Sequence, residues 1–161
     1  MISQIPKETL GLAGEYAVAS ELCKRGIYAQ LTLGNRKRTD LLIETDDSML
    51  RIQVKSKQKK EWPGMKGITG NEIVLVLVDF EKKPVDSRPD FYVLTSADWA
   101  QVIDALCIQP GHVKKGEVTI SDCNVPTWSD GYVGVVIKSV DVQAYKEKWD
   151  KILTCLTRRS T

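Results

Sequence analysis

The chain has 161 residues, of which 42% are hydrophobic, 27% charged and 7% aromatic, and its formal net charge is +2. This composition excludes a disordered, collagen-like or coiled-coil chain, and the length suits one domain over residues 1–161. No signal-peptide pattern opens the sequence, and no apolar run approaches the roughly 18 residues that cross a bilayer. The four cysteines include no CxxC pair. We therefore expect a cytoplasmic protein with no membrane partner and with reduced, mostly buried thiols.

Hydrophobic periodicity predicts a helix and three strands in the first third of the chain. Apolar residues at three- and four-residue steps favour a helix over about 8–25, which Gly26 ends. Strands are predicted at 28–33, 39–44 and 49–55. The last two form a hairpin, because the Asp and Ser side chains between them favour a turn.

The middle of the chain combines one irregular segment with a strong strand signal. Residues 56–71 are basic and contain several glycines, which predicts a mobile loop. The nearly continuous apolar run 73–80 predicts a central strand buried on both faces. A short strand is predicted at 91–94, and Thr95 with Asp98 predicts a capping box that opens a second helix.

The signals weaken toward the C-terminus. Residues 109–131 predict only a short strand at 117–120, and a further strand is predicted at 132–137. Asp141 is expected to cap a terminal helix. Its apolar side would carry Val142, Tyr145, Trp149, Ile152, Leu153 and Leu156. We expect a core over about 8–106 and a C-terminal strand and helix within 117–157, with Trp99 and Trp149 at core or interface positions.

Positive charge is concentrated between residues 36 and 66, where nine basic side chains face five acidic ones and leave −2 for the remainder. Such a patch favours nucleic-acid binding, although it is also often a solvated face. Trp62, in the same segment, either stacks on an unpaired base or packs on its own domain. The basic residues considered for phosphate contact are Arg36, Lys37, Arg38, Lys57, Lys59, Lys60 and Lys66.

The predicted hairpin has one apolar and one polar face. If the turn is symmetric, paired residue numbers sum to 93, so Asp40 faces Gln53. Strand alternation places Leu41, Ile43, Leu50, Ile52 and Val54 on the first face and Asp40, Leu42, Glu44, Arg51, Gln53 and Lys55 on the second. Polar hairpin faces are usually just solvated, but the neighbouring elements here are apolar, and burying such groups unpaired is costly. Glu15 lies beside the apolar stripe of the first helix, so its carboxylate also needs a partner.

Three short segments together resemble the PD-(D/E)XK nuclease superfamily. They are Gly14-Glu15 on the first helix, Asp40-Leu41-Leu42-Ile43 on a strand and Ile52-Gln53-Val54-Lys55-Ser56 on the next. The likeness, over about residues 8–80, is to small bacterial stand-alone members and to Holliday junction resolvases. It implies an α/β restriction-endonuclease-like fold, with a mixed central β-sheet flanked by helices.

The resemblance also implies an active site. Asp40 matches the metal-binding aspartate, Gln53 the (D/E) position, Lys55 the motif lysine and Glu15 the helical glutamate. In the superfamily these groups and the main-chain carbonyl at the position of Val54 hold Mg²⁺ or Mn²⁺, which polarises the phosphodiester and activates water. Two positions depart from the pattern: Thr39 replaces a proline, and Gln53 is a neutral amide in place of a carboxylate.

The leading hypothesis is therefore a metal-dependent nuclease that hydrolyses DNA. The alternative is a weak or inactive nuclease-fold module that binds nucleic acid or a protein partner, which Gln53 favours. Cutting both strands of a duplex with one small site favours a homodimer, for which the terminal helix with Tyr145 and Trp149 is a candidate interface. His112 and the scattered cysteines match neither a zinc site nor a nucleophile motif.

Overall fold

The molecule is built around a mixed five-stranded sheet. A computed structural model describes residues 4–32 and 39–158. The helices are α1 (Lys7–Lys24), α2 (Ser96–Ile103) and α3 (Asp150–Thr157), with a π-helical turn at Asp104–Ile108 and a 3₁₀ helix at Ser139–Tyr145. The strands are β1 (Ala29–Leu31), β2 (Leu41–Glu44), β3 (Met49–Lys57), β4 (Glu61–Met65), β5 (Ile73–Asp79), β6 (Asp90–Leu94), β7 (Val118–Ile120), β8 (Pro126–Trp128) and β9 (Val135–Lys138).

The central sheet has the strand order β1-β2-β3-β5-β6. Only β3 and β5 pair in parallel, and the other neighbours are antiparallel. Two small antiparallel sheets, β4 with β9 and β7 with β8, lie outside it. The predicted mixed central sheet flanked by helices is confirmed. In the described part of the chain, no helix is both long and apolar enough to cross a membrane.

Strand β5 separates two hydrophobic cores and is buried along its whole length, as its sequence predicts. Its side chains alternate: Val74, Val76 and Val78 face a core formed with α1 and α3. Leu75 and Leu77 face a second core that contains α2, β4 and β9. The capping box of α2 is also confirmed, because Thr95 and Asp98 exchange their reciprocal hydrogen bonds.

The hairpin of β2 and β3 has the predicted register from Leu41↔Ile52 to Glu44↔Met49. All five residues predicted on its apolar face are buried in the core beneath α1 and α3. The register changes at Asp40. Its backbone N–H donates to the carbonyl of Ile52 at 2.9 Å, whereas the predicted register sets Asp40 opposite Gln53. Strand β3 therefore extends beyond the paired part of β2, with consequences for the site.

The prediction of a mobile loop at 56–71 is wrong, because this segment contains the end of β3 and all of β4. β4 pairs with β9, and its ladder is irregular between Trp62 and Met65, where Pro63 and Gly64 interrupt a regular strand. Trp62 is buried and packs edge-on against Tyr92, with ring centroids 5.9 Å apart. Contact with residues far along the chain gives this segment its structure.

The terminal helix is also different from the prediction. Asp141 lies in the 3₁₀ helix and accepts a hydrogen bond from the backbone N–H of Lys138, the residue before that helix. Helix α3 begins only at Asp150. Between these helices Glu147 has a φ of 57°, outside the right-handed helical region, and its carboxylate accepts hydrogen bonds from Arg88 and Trp149. Trp149 is buried as expected, whereas Leu153 is half exposed.

The thiol prediction needs a correction. None of the four cysteines, all of which lie in described ranges, forms a disulfide, but only Cys107 is buried. Cys23 and Cys123 are exposed. The sequence therefore predicted the unlinked state of these cysteines but not their positions.

Candidate functional site

Asp40 lies just before β2, at the point where β3 extends beyond its pairing with β2. Its Oδ2 accepts a hydrogen bond from the backbone N–H of Val54 at 2.7 Å. The carboxylate thus takes the place of a strand partner and is held in a defined orientation over β3. Within the described ranges, its second oxygen, Oδ1, accepts no hydrogen bond and remains available to a ligand.

Helix α1 brings Glu15 to the same place. Burial raises the pKa of the Glu15 carboxyl, the nearby Asp40 carboxylate raises it further, and Lys55 lowers it. Coulombic effects on a pKa weaken with distance, so these causes place the three side chains in one charged cluster. The structure thus brings together Glu15, Asp40 and Lys55, which belong to three separate elements.

A close approach between α1 and β3 positions Glu15. A Cβ atom at Gly14 would lie only 1.8 Å from Ser56 Oγ, so the helix can pack this closely only because residue 14 has no side chain. Ser56 Oγ is itself buried and has no hydrogen-bond partner among the described residues. Glycine at position 14 therefore allows the next residue, Glu15, to reach the end of β3.

Gln53 and Lys55 lie on the same face of β3 and line a pocket of about 420 Å³. Gln53 is 8% exposed, whereas the Lys55 side chain is exposed. The pocket is bounded further by Ser56, by Lys7 in the first turn of α1, and by the turn that follows Trp62. An open cavity thus adjoins the charged cluster.

The oxygen donors at this position are the kind that Mg²⁺ or Mn²⁺ binds in proteins. They are the carboxylates of Glu15 and Asp40 and, from the lining of the adjoining pocket, the amide oxygen of Gln53. Burial and, after it, the Asp40 carboxylate raise the pKa of Glu15, and a bound cation would oppose both effects. However, the described ranges contain no group of three or more Asp, Glu, His or Cys side chains placed to hold a metal. The donors therefore fit a hard cation in kind, with one negative charge fewer than a third carboxylate would supply.

The residues predicted to contact nucleic acid divide into three groups. Lys57 is buried and forms ion pairs with Asp79 at 2.8 Å and Glu81 at 3.0 Å. Its ammonium also lies 4.8 Å from the ring centroid of Trp62. This arrangement gives both residues a packing role, so the alternative in which Trp62 packs on its own domain is the one observed.

Of the other predicted basic residues, some are described by the structure and some are not. Lys59 and Lys60 are exposed. Arg36, Lys37 and Arg38 lie outside the described residues.

His112 belongs to a separate surface cluster. Its ring hydrogen-bonds Glu117 and contacts the edge of Trp128, with centroids 5.5 Å apart.

One lysine of the pocket, Lys7, was missing from the residues predicted to contact phosphate. Lys7 precedes Gly14 by seven residues, which places both on one side of α1, so helical periodicity contained a signal for it. Lys66 was predicted to contact phosphate only as one lysine of the basic segment, because its position at the pocket depends on the pairing of β4 with β9.

Comparison with known proteins indicates the type of fold. No protein-family model matches the chain, and no curated protein matches it significantly. Among solved structures, the fold is similar to that of a bacterial homing endonuclease, I-Ssp6803I. The TM-score is 0.51 and the sequence identity 18%, over 96% of this chain and 98% of that one. At this identity the similarity is one of fold, and the chain has a nuclease-like fold.

Proposed function

We propose that this protein is a metal-dependent nuclease that hydrolyses phosphodiester bonds in DNA. The observation that supports the proposal most directly is the convergence of Glu15, Asp40 and Lys55 beside an open pocket. The nuclease-like fold is a second, independent support. In sequence, the same residues carry the resemblance to the PD-(D/E)XK superfamily.

The proposal gives the oxygen-bearing side chains and the lysine different roles. Asp40, Glu15 and the Gln53 amide oxygen would hold Mg²⁺ or Mn²⁺. Such an ion would supply Lewis-acid polarisation of the phosphodiester and would ease ionisation of water. Lys55, close enough to lower the pKa of Glu15, would orient the attacking water and stabilise charge that develops on the phosphate. The hydrogen bond from Val54 keeps the Asp40 carboxylate from rotating away.

Gln53 supports a second candidate function, a nuclease-fold module that binds nucleic acid or a protein partner but cuts weakly or not at all. A neutral amide contributes one negative charge less than the carboxylate it replaces, so the cation is held less strongly. Glu15 is the residue that compensates under the nuclease proposal. The two candidates differ in whether phosphodiester hydrolysis depends on Asp40 and Lys55.

The deciding experiment measures cleavage of labelled linear, branched and single-stranded DNA in Mg²⁺ or Mn²⁺. Asp40→Asn is preferable to alanine, because the amide oxygen still accepts the hydrogen bond from Val54 while the charge is lost. Lys55→Gln removes the second charge. Asp46→Asn, at the exposed tip of the hairpin, is the matched control for loss of one carboxylate.

Cleavage that requires the metal, survives Asp46→Asn and falls at least 100-fold in Asp40→Asn and Lys55→Gln is the expected result. Cleavage that all three variants retain contradicts the proposed site. Salt-sensitive DNA binding without any cleavage supports the binding module instead. Light scattering during size-exclusion chromatography tests the proposed homodimer.

A further inference from the structure

The pocket beside the charged cluster has an unbalanced positive charge. Lys7, Lys55 and Lys66 line it, and no described acidic side chain does. None of these lysines forms an ion pair with a described carboxylate, whereas the nearby Lys57 is neutralised by Asp79 and Glu81. Such an arrangement of unpaired cations around a cavity attracts an anion.

One wall of the pocket is held in place by the segment before α1. The amide of Gln58, just beyond β3, makes two hydrogen bonds with the backbone of Ile5, at 2.9 and 2.7 Å. Ile5 is only two residues from Lys7. This pair therefore fixes the first turn of α1 against the end of β3 and keeps Lys7 at the pocket.

The opposite wall, which carries Lys66, is fixed as well. The backbone N–H of Gly64 donates to the Tyr132 hydroxyl at 2.6 Å. Gly67, with a φ of +67°, lies so close to Trp99 that a Cβ atom there would be 2.0 Å from the indole ring. Met65, between them, is buried. The segment 63–67 is thus held in place on both sides of Lys66, so the pocket exists before any ligand binds.

The pocket also shares residues with the proposed cleavage site, since Gln53 and Lys55 line it. At about 420 Å³ and open to solvent, it has room for a phosphodiester group with its sugar. We infer that this pocket is a subsite for the DNA backbone, in which Lys7 and Lys66 bind a phosphate adjacent to the one that is cleaved. The inference rests on the proposed function, because the nuclease reaction supplies the strand that would occupy the pocket.

The test is the salt dependence of DNA binding, measured by fluorescence anisotropy in EDTA so that no cleavage occurs. The test variant is Lys7→Gln/Lys66→Gln. The control, Lys114→Gln/Lys148→Gln, changes the net charge equally through two exposed lysines outside the pocket. Each lost phosphate contact lowers the slope of log affinity against log salt by about 0.9.

For two lost contacts, the wild-type affinity should fall about 12-fold more than that of the test variant between roughly 50 and 200 mM salt. The control should retain the wild-type slope. Equal slopes for both double variants, or no DNA binding by the wild type, overturn the inference.

Failure of the subsite and failure of the nuclease proposal give different patterns. Asp40-dependent cleavage together with an unchanged slope in Lys7→Gln/Lys66→Gln rejects the subsite and retains the nuclease. The expected change in slope without any cleavage retains the phosphate contacts and rejects the nuclease.

Discussion

Replacing Gln53 with glutamate tests the charge balance of the proposed metal site. The substitution adds a third carboxylate beside Glu15 and Asp40 at nearly constant side-chain volume. Because Gln53 is 8% exposed, the new charge would be largely removed from water. Two like charges about 6 Å apart at an effective dielectric constant of about 20 repel by about 2.8 kcal/mol. Lys55 offsets part of this, so we expect a net destabilisation of about 1 to 3 kcal/mol without a divalent cation.

The same substitution should strengthen the response to Mg²⁺. For a protein of this size, 1 kcal/mol corresponds to about 2 to 4 °C in Tm, so the variant in EDTA should unfold about 2 to 12 °C below the wild type. If the third carboxylate tightens cation binding tenfold, saturating Mg²⁺ adds about 1.4 kcal/mol of stabilisation. The rise in Tm caused by Mg²⁺ should then be about 3 to 6 °C larger in Gln53→Glu than in the wild type.

Thermal unfolding followed by circular dichroism, in EDTA and in Mg²⁺, measures both quantities. Gln143→Glu, at an exposed position of the 3₁₀ helix, controls for the added charge. If Mg²⁺ raises the Tm of Gln53→Glu, Gln143→Glu and the wild type by the same amount, Gln53 is not part of a cation site and the reasoning is refuted.

Two further predictions concern the contacts that hold α1, which carries Glu15. Glu21 accepts hydrogen bonds from Arg88 at 2.9 Å. Glu21→Gln should lower the free energy of unfolding in urea at pH 7 by about 2 kcal/mol. This value is below the range for fully buried pairs because the Arg88 side chain is 44% exposed. These contacts lower the pKa of Glu21. The extra stability of the wild type should therefore be complete above about pH 5 and should decline as the pH falls below about 4.3 toward the folded-state pKa. A stability difference that does not change with pH would contradict the assignment. Gly14→Ala should destabilise the fold by about 1 to 3 kcal/mol through the clash with Ser56 Oγ. Ser56→Ala should be nearly neutral alone and should restore most of that loss, because this hydroxyl has no described partner; strictly additive effects in the double-mutant cycle would argue against the close contact.

Local sequence information predicts much of the central sheet. The register and apolar face of the β2–β3 hairpin follow from a short turn and an alternation of side chains that act within a few residues. The buried strand β5 and the capping box at Thr95 are equally local features. Alternation could therefore place Asp40 and Lys55 on the polar face of this hairpin, and the resemblance to the superfamily added Glu15 to them as candidate site residues.

Long-range contacts account for the features that the sequence did not predict. Asp40 departs from the symmetric register because its carboxylate, and not a strand partner, accepts the hydrogen bond of Val54. The basic segment after β3 is ordered by pairing between β4 and β9, which lie some 70 residues apart. The same pairing buries Trp62 and places Lys66 opposite Lys7.

The sequence by itself thus determined the hairpin, the central strand and the chemical types of the site residues, because each depends on neighbours in the chain. Only the tertiary structure decided which charges lie together. Lys57 is neutralised by Asp79 and Glu81, whereas Lys7 and Lys66 line a pocket and form no ion pair with any residue that the structure describes. The physical reason is that the electrostatic environment of a lysine depends on its neighbours in space, and folding brings those neighbours from distant parts of the chain.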